Sequence, residues 1–179
     1  MELAEIRGQL PVLERLAYLN AGTMGPLPRR SADALARWTI RTAEKGRSGR
    51  TLFDEILALR ERVREVVGRL VNAPPGTIAL TSASTDGCNI VLTGLGLGPG
   101  DEVVTTDSEH PGLFGGLVAS GATVRIAHIR DRPTADAAAL VDAQVSERTR
   151  LIALSHVSWL TGAILPIRAL AGRGIPVLV

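Results

Sequence analysis

The chain lacks most of what would mark it as secreted, membrane-spanning or nucleotide-binding. Its single cysteine, Cys88, cannot form an internal disulfide, and its opening segment, "MELAEIRGQL", has neither the basic start nor the apolar centre of a secretion signal. No apolar run is long enough to cross a bilayer, so no membrane partner is expected and a cytoplasmic location is. Charge of one sign is missing too. The sequence pI is about 9.3, but the net charge is only +2 and arginine is interleaved with aspartate and glutamate along the predicted helices. That is a solvated surface and not a nucleic-acid patch. Lysine occurs once, at Lys45, which excludes a phosphate loop of the Gly-Lys-Ser/Thr kind. No Gly-x-Ser-x-Gly elbow is present, which removes the α/β hydrolases. Aromatics make up 3% of the residues, a bias that by itself points to no function.

What remains is an ordinary globular composition, 45% hydrophobic and 21% charged over 179 residues, enough for one sizeable core. A short helix is expected near the start. "AYLNAGTMGPLP" is too rich in Gly and Pro for regular structure and reads as an ordered arm. From Arg29 to Ala73 the pattern is helical, and Leu52, Ile56, Leu59, Val63, Val66 and Leu70 recur in steps of four and three, which predicts one apolar stripe laid against a core. "NAPPGT" should stop that helix.

Beyond it the chain alternates. Strands are predicted at "TIALTSA", "DEVVTT", "TVRIAHI", "RLIALSHVS" and "IPVLV", and helices at "TDGCNIVLTGLGL", "GLFGGLVAS", "TADAAALVDAQV" and "PIRALAG". Short Val/Ile/Leu-rich runs separated by helices require a mostly parallel sheet covered on both faces, so the class is α/β. The chain ends at Val179 with the last strand's carboxyl end bare, where site residues of an open α/β sheet are expected, and therefore reads as a fragment.

Three strand ends carry candidate chemistry. In "TSASTDGCNIV" (81–91), Ser84 and Thr85 stand at a strand-to-helix junction, where free amides and the helix dipole favour a phosphate; the plain alternative makes Ser84 an N-cap. In "DSEHPG", Glu109 and His110 follow a strand, and the imidazole could stack on a flat ligand, move a proton or bond a neighbouring carbonyl. In "SHVSWLTG", Ser158 and Trp159 end another strand, with the indole either walling a pocket or filling core volume. His128 and His156 lack metal-type spacing and read as structural. Cys88 reads as a small core residue with nothing near it to lower its pKa. "GLGLGPG" (94–100) has its helix before and not after the glycines, so it is no dinucleotide fingerprint; Gly96 or Gly98 should end a helix and Pro99-Gly100 form a type II turn.

Taken in order, "YLNAGTMGPLP", "SASTDGCNIV", "GDEVVTTDSEHPG", "SHVSWLTGAILP" and "GIPVLV" resemble the class V aminotransferases, the cysteine desulfurase-like and isopenicillin N epimerase-like branch of the fold type I pyridoxal phosphate enzymes. The likeness covers nearly the whole chain. It implies a three-layer α/β/α major domain, truncated, with residues 1–30 as helix and active-site arm and 31–179 as an incomplete cofactor-binding domain. It implies that Ser84 and Thr85 hold the phosphate of pyridoxal 5'-phosphate, that His110 lies over the pyridine ring as the catalytic side chain, and that Asn20 lines the substrate side. Trp159 stands where many members carry an asparagine that bonds the ring's phenolic oxygen, so that contact is in question. Two family residues have no counterpart: an aspartate in Asp-Gly-Ala-Gln after "GIPVLV", and the lysine that carries the cofactor covalently. Lys45, in the charged stretch "AEKGRSGR", does not replace it. The expected parent is therefore a homodimeric pyridoxal phosphate enzyme acting on an amino acid, with this chain inactive alone. The alternative is a non-catalytic α/β module that keeps only a phosphate cup or a dimer surface.

Overall fold

The computed structural model describes residues 2–179 and divides into two compact units, one running to Leu80 and the other from Thr81 to Val179. The first unit is helical. It contains α1 (Leu3–Gly8), a short 3-10 turn (Pro11–Glu14), α2 (Arg29–Lys45) and α3 (Arg50–Val71). The segment between the 3-10 turn and α2 is irregular, as its Gly and Pro content predicts. The long helical stretch of the sequence is two helices, because Gly46 and Gly49 take φ values of 78° and 96° that a continuing helix cannot accommodate. Arg41 of α2 reaches across to Glu55 of α3 (Nη2 to Oε1, 2.7 Å) and lies 5.7 Å from the Trp38 ring centre.

α3 ends as its sequence demands. Asn72 turns left-handed (φ 54°, ψ 46°), the Ala73 N–H donates to the Gly68 carbonyl at 2.8 Å, and Pro74 follows. The predicted stripe on α3 requires a correction: Ile56 is 37% and Leu70 83% exposed, and Gly68 is the only buried residue of α3. Periodicity records that a face is apolar; it does not supply the surface that would cover it.

In the second unit a four-stranded parallel sheet has the order β2-β1-β3-β4, formed by β1 (Glu102–Thr106), β2 (Thr123–Ala127), β3 (Thr149–Ala153) and β4 (Val177–Leu178). Four helices flank it: α4 (Ser84–Leu95), α5 (Pro111–Ala119), α6 (Ala137–Asp142) and α7 (Ile167–Leu170). Alternation along the strands builds two cores. Val103, Leu151 and Ala153 point to one face and pack with Leu92 of α4 and Leu117 of α5. Val104, Ile152 and Leu154 point to the other and pack with Val141 of α6 and Leu170 of α7. Each of the Val, Leu and Ile side chains among them contributes about 1.5–3 kcal/mol by leaving water.

The three layers follow directly, and with them the α/β class. Gly96 closes α4 in the left-handed conformation, and Gly98 to Asp101 form the expected turn with Gly100 at φ 97° and the Asp101 N–H on the Gly98 carbonyl. One predicted strand is not a strand: "TIALTSA" begins at the end of a 3-10 turn (Pro75–Thr77), finishes in a bend and has no sheet partner among the described residues. The Ile78 carbonyl instead accepts from Arg64 Nε at 3.1 Å. Extended propensity makes a strand only when a neighbouring backbone completes the ladder.

Candidate active site

The strand order sets the location. From β1 the chain leaves into α5 on one face of the sheet, and from β3 it leaves into α7 on the other, so the crevice between the carboxyl ends of β1 and β3 is the topological switch point. Glu109 spans it. Its Oε1 accepts from Thr106 Oγ1 at 2.5 Å, and its Oε2 accepts from the Ser155 N–H at 2.9 Å and from Ser155 Oγ at 2.7 Å.

His110, the next residue, is the N-cap of α5. Its Nδ1 accepts from the Gly112 N–H at 3.0 Å, so the neutral ring carries its hydrogen on Nε2. The neighbouring group it bonds is thus an amide and not a carbonyl. Trp159 packs edge-on against it, the ring centres 5.3 Å apart and the planes at 75°.

At the same crevice stands the start of α4. Its N-cap is Ala83, with no side-chain cap, and Ser84 is the first helical residue. The plain reading of Ser84 as an N-cap is therefore wrong; its hydroxyl is not consumed in holding the helix start. Uncapped amides at the positive end of a twelve-residue helix favour an anion. A cavity of about 190 Å³ opens there, walled by Ser84, Thr85, Cys88, His110, Gly112, Leu113, Leu154, Ser155, Leu178 and Val179. Glycine lets α5 approach α4 closely: a Cβ on Gly112, on the cavity wall, would lie 2.5 Å from Thr85 Oγ1, and one on Gly116, away from this cavity, would lie 2.7 Å from Asn89 Oδ1.

Of the residues singled out from sequence, the structure brings Ser84, Thr85 and His110 to one cavity, with Trp159 attached through His110 and not on the wall. Asn20 belongs to the first unit, where its Oδ1 accepts from Thr23 Oγ1 at 2.8 Å. Cys88 is half-buried on the cavity wall, and burial pushes its thiol up, away from nucleophilic use. His128 is exposed, its Nδ1 3.2 Å from Asp107 Oδ2, and His156 is exposed with its carbonyl accepting from the Leu165 N–H. Burial by itself would raise the Asp107 carboxyl. The Ile129 and Arg130 amides and His128 outweigh it and hold Asp107 below its ordinary value. Sequence reading missed Ser155 and Gly112. A serine at the end of β3 and a glycine two residues after the histidine were the available signals.

A parallel sheet with an uncapped helix start at its switch-point crevice defines the class of α/β ligand-binding domains that seat a phosphate-bearing molecule at the strand ends. The aminotransferase class-V family model matches residues 17–177, and the chain belongs to that family. It is 28% identical to a probable cysteine desulfurase 2 of Mycobacterium leprae over 97% of this chain and 46% of that protein. It is 30% identical to the isopenicillin N epimerase of Streptomyces clavuligerus over 98% of this chain and 46% of that one.

Among solved structures it is similar to C-DES. One C-DES structure, a mutant with glycine covalently linked to the PLP cofactor, shares 34% identity and a TM-score of 0.83, covering 91% of this chain and 44% of that one. The cystine C-S lyase C-DES in complex with its product cysteine persulfide gives 32% and 0.84, covering 94% and 47%. The chain thus spans about half the length of the relatives it matches. The fold is that of the three-layer major domain of the fold type I pyridoxal phosphate enzymes, as the resemblance implied. No described helix is long and apolar enough to cross a membrane.

Proposed function

We propose that this chain supplies the phosphate cup and the ring-contacting histidine of a pyridoxal 5'-phosphate-dependent enzyme that acts on an amino acid, with carbon-sulfur cleavage or epimerisation as its chemistry. The observation that carries this reading is the uncapped start of α4 facing His110 across one small cavity. The donor set fits the cofactor: amides and hydroxyls at Ser84 and Thr85 suit a phosphate dianion, and His110 offers a fixed flat ring. When bound, the cofactor serves as the electron sink for the pair left behind when a bond at the substrate's α carbon breaks.

The protein's part is binding, orientation and proton placement. Ser84 and Thr85 anchor the phosphate. His110, bonded through Nδ1 to the Gly112 N–H and packed against Trp159, would contact the cofactor ring, and its neutral form keeps a hydrogen on Nε2 to give. Trp159 acts through His110, and Asn20 belongs to the substrate side. Residues 1–30 form the arm and 31–179 the cofactor-binding domain of a cytoplasmic homodimer. The chain alone does not turn over substrate, because its one lysine, Lys45, is an exposed residue closing α2.

Titration with pyridoxal 5'-phosphate tests the reading. Ser84→Ala and Thr85→Ala should each weaken binding about tenfold, the value of one hydrogen bond to a charged group, while pyridoxal without its phosphate should bind wild type and variants alike. Unchanged affinity in both variants would remove the phosphate cup. Borohydride reduction of the complex should leave Lys45 unlabelled.

A further inference from the structure

A second cavity, of about 140 Å³, lies in the same unit and shares no wall residue with the first. Its wall includes two arginines, Arg130 and Arg132, and four hydroxyl-bearing residues, Ser108, Thr134, Ser158 and Thr161, with no aspartate or glutamate. Aliphatic residues, Ile129 and Leu165 among them, complete it.

Two of these residues, Ser108 and Ser158, are buried for most of their surface. Ser108 is 3% exposed, and its hydroxyl makes no hydrogen bond to another described residue, although it lines the cavity. That oxygen is open to the cavity, so water or a ligand there can bond it. Ser158 is 4% exposed. Its oxygen accepts weakly from the Thr161 N–H at 3.3 Å, and its own hydrogen stays available to donate.

The charges favour an anion. Arg130 spends one arm on the Asp107 carbonyl (Nη2 to O, 2.6 Å), and Arg132 has no ion-pair partner among the described residues. Among the acids flanking the wall residues in sequence, Asp107 is already met by the Ile129 and Arg130 amides and by His128, while Asp131 and Asp136 are exposed and off the wall. The volume is room for about four waters, which suits a tetrahedral oxyanion and is far short of a nucleotide. Guanidinium and hydroxyl donors are the usual recognition set for such an ion.

We propose that this cavity binds a small tetrahedral oxyanion, inorganic sulfate or phosphate, at a site distinct from the cofactor cup. The site adjoins both loops of the crevice, since Ser108 lies two residues before His110 and Ser158 immediately precedes Trp159. It stands independently of the cofactor reading.

Equilibrium dialysis of radiolabelled sulfate against the full chain, at fixed ionic strength and without cofactor, tests it. A saturable class of sites is expected that survives Ser84→Ala and is weakened about tenfold or more by Arg132→Gln, an exposed and unpaired position whose replacement leaves folding intact by circular dichroism. Phosphate should displace the label, and acetate at equal concentration should not. Ser108→Ala should weaken the same class. Absence of saturable uptake, equal affinity in Arg132→Gln, or uptake that Ser84→Ala abolishes would overturn the proposal; the last outcome would assign the anion to the cofactor cup.

Discussion

Glu109 binds Ser155 twice, through the serine's amide at 2.9 Å and its hydroxyl at 2.7 Å, and so fastens the carboxyl ends of β1 and β3 together where the chain leaves the sheet in opposite directions. Because His110 follows Glu109 directly, whatever loosens this clamp also frees the imidazole.

Glu109→Ala removes the acceptor for two hydroxyl donors and one amide. Destabilisation of about 2 kcal/mol or more is expected in urea unfolding, and Glu109→Gln, which keeps acceptor capacity on one oxygen, should recover part of it. Equal midpoints for wild type and Glu109→Ala would show that the clamp contributes nothing.

Gly112→Ala places a methyl 2.5 Å from Thr85 Oγ1 and 3.1 Å from His110 Nδ1. Overpacking of this kind costs about 1–3 kcal/mol. The same variant should lose cofactor affinity, since Thr85 and His110 must both move. A paired Thr85→Ala substitution, which removes the clashing oxygen, should restore the melting temperature but not the affinity.

Gly68→Ala tests the end of α3. Its Cβ would fall 2.6 Å from the Ala73 carbonyl and wedge apart the turn that Asn72 forms. Loss of about 1–2 kcal/mol is expected, where alanine at an ordinary exposed helix position would stabilise by about 1 kcal/mol.

Glu102 sets an acid limb. The Ser146 hydroxyl and then Arg148 hold its carboxyl below its ordinary 4.5, Arg125 adding a smaller share. A depressed native value means that the unfolded chain binds the proton more readily. The stabilisation is therefore complete above about pH 4.5 and is lost as pH falls through the lowered value. Glu102→Gln should flatten the stability profile below that pH and lower the plateau above it, read by denaturant melts from pH 3 to 7.

Association is the expected behaviour of the isolated chain. Phe53, Val66, Leu70 and Val71 on α3 are exposed, and the two-residue β4 stands at the sheet edge next to an exposed Val179. Uncovered apolar area and an open edge favour self-contact. Light scattering that rises with concentration is expected, and a cooperative melt from a monodisperse monomer would contradict it.

Much of this molecule is written in short-range pattern. The α/β alternation, the left-handed Gly96, the Pro99-Gly100 turn and the stop at "NAPPGT" each follow from which backbone angles and donors the local residues permit. That Ser84 and Thr85 open a helix was legible from their small hydroxyl residues after an extended run, and that His110 follows a strand was legible from "DEVVTTDSEHPG".

Pairing and covering decided the rest, since both depend on residues distant in sequence. "TIALTSA" has strand composition but no partner backbone, the α3 stripe has helical spacing but no surface upon it, and Ser84 has capping chemistry but a helix that begins one residue too early to use it. Ser155 and Gly112 became site residues only when the fold carried β3 beside β1 and α5 against α4. A residue's own chemistry sets which bonds it is able to make, and only the packed chain sets which groups stand near enough to make them.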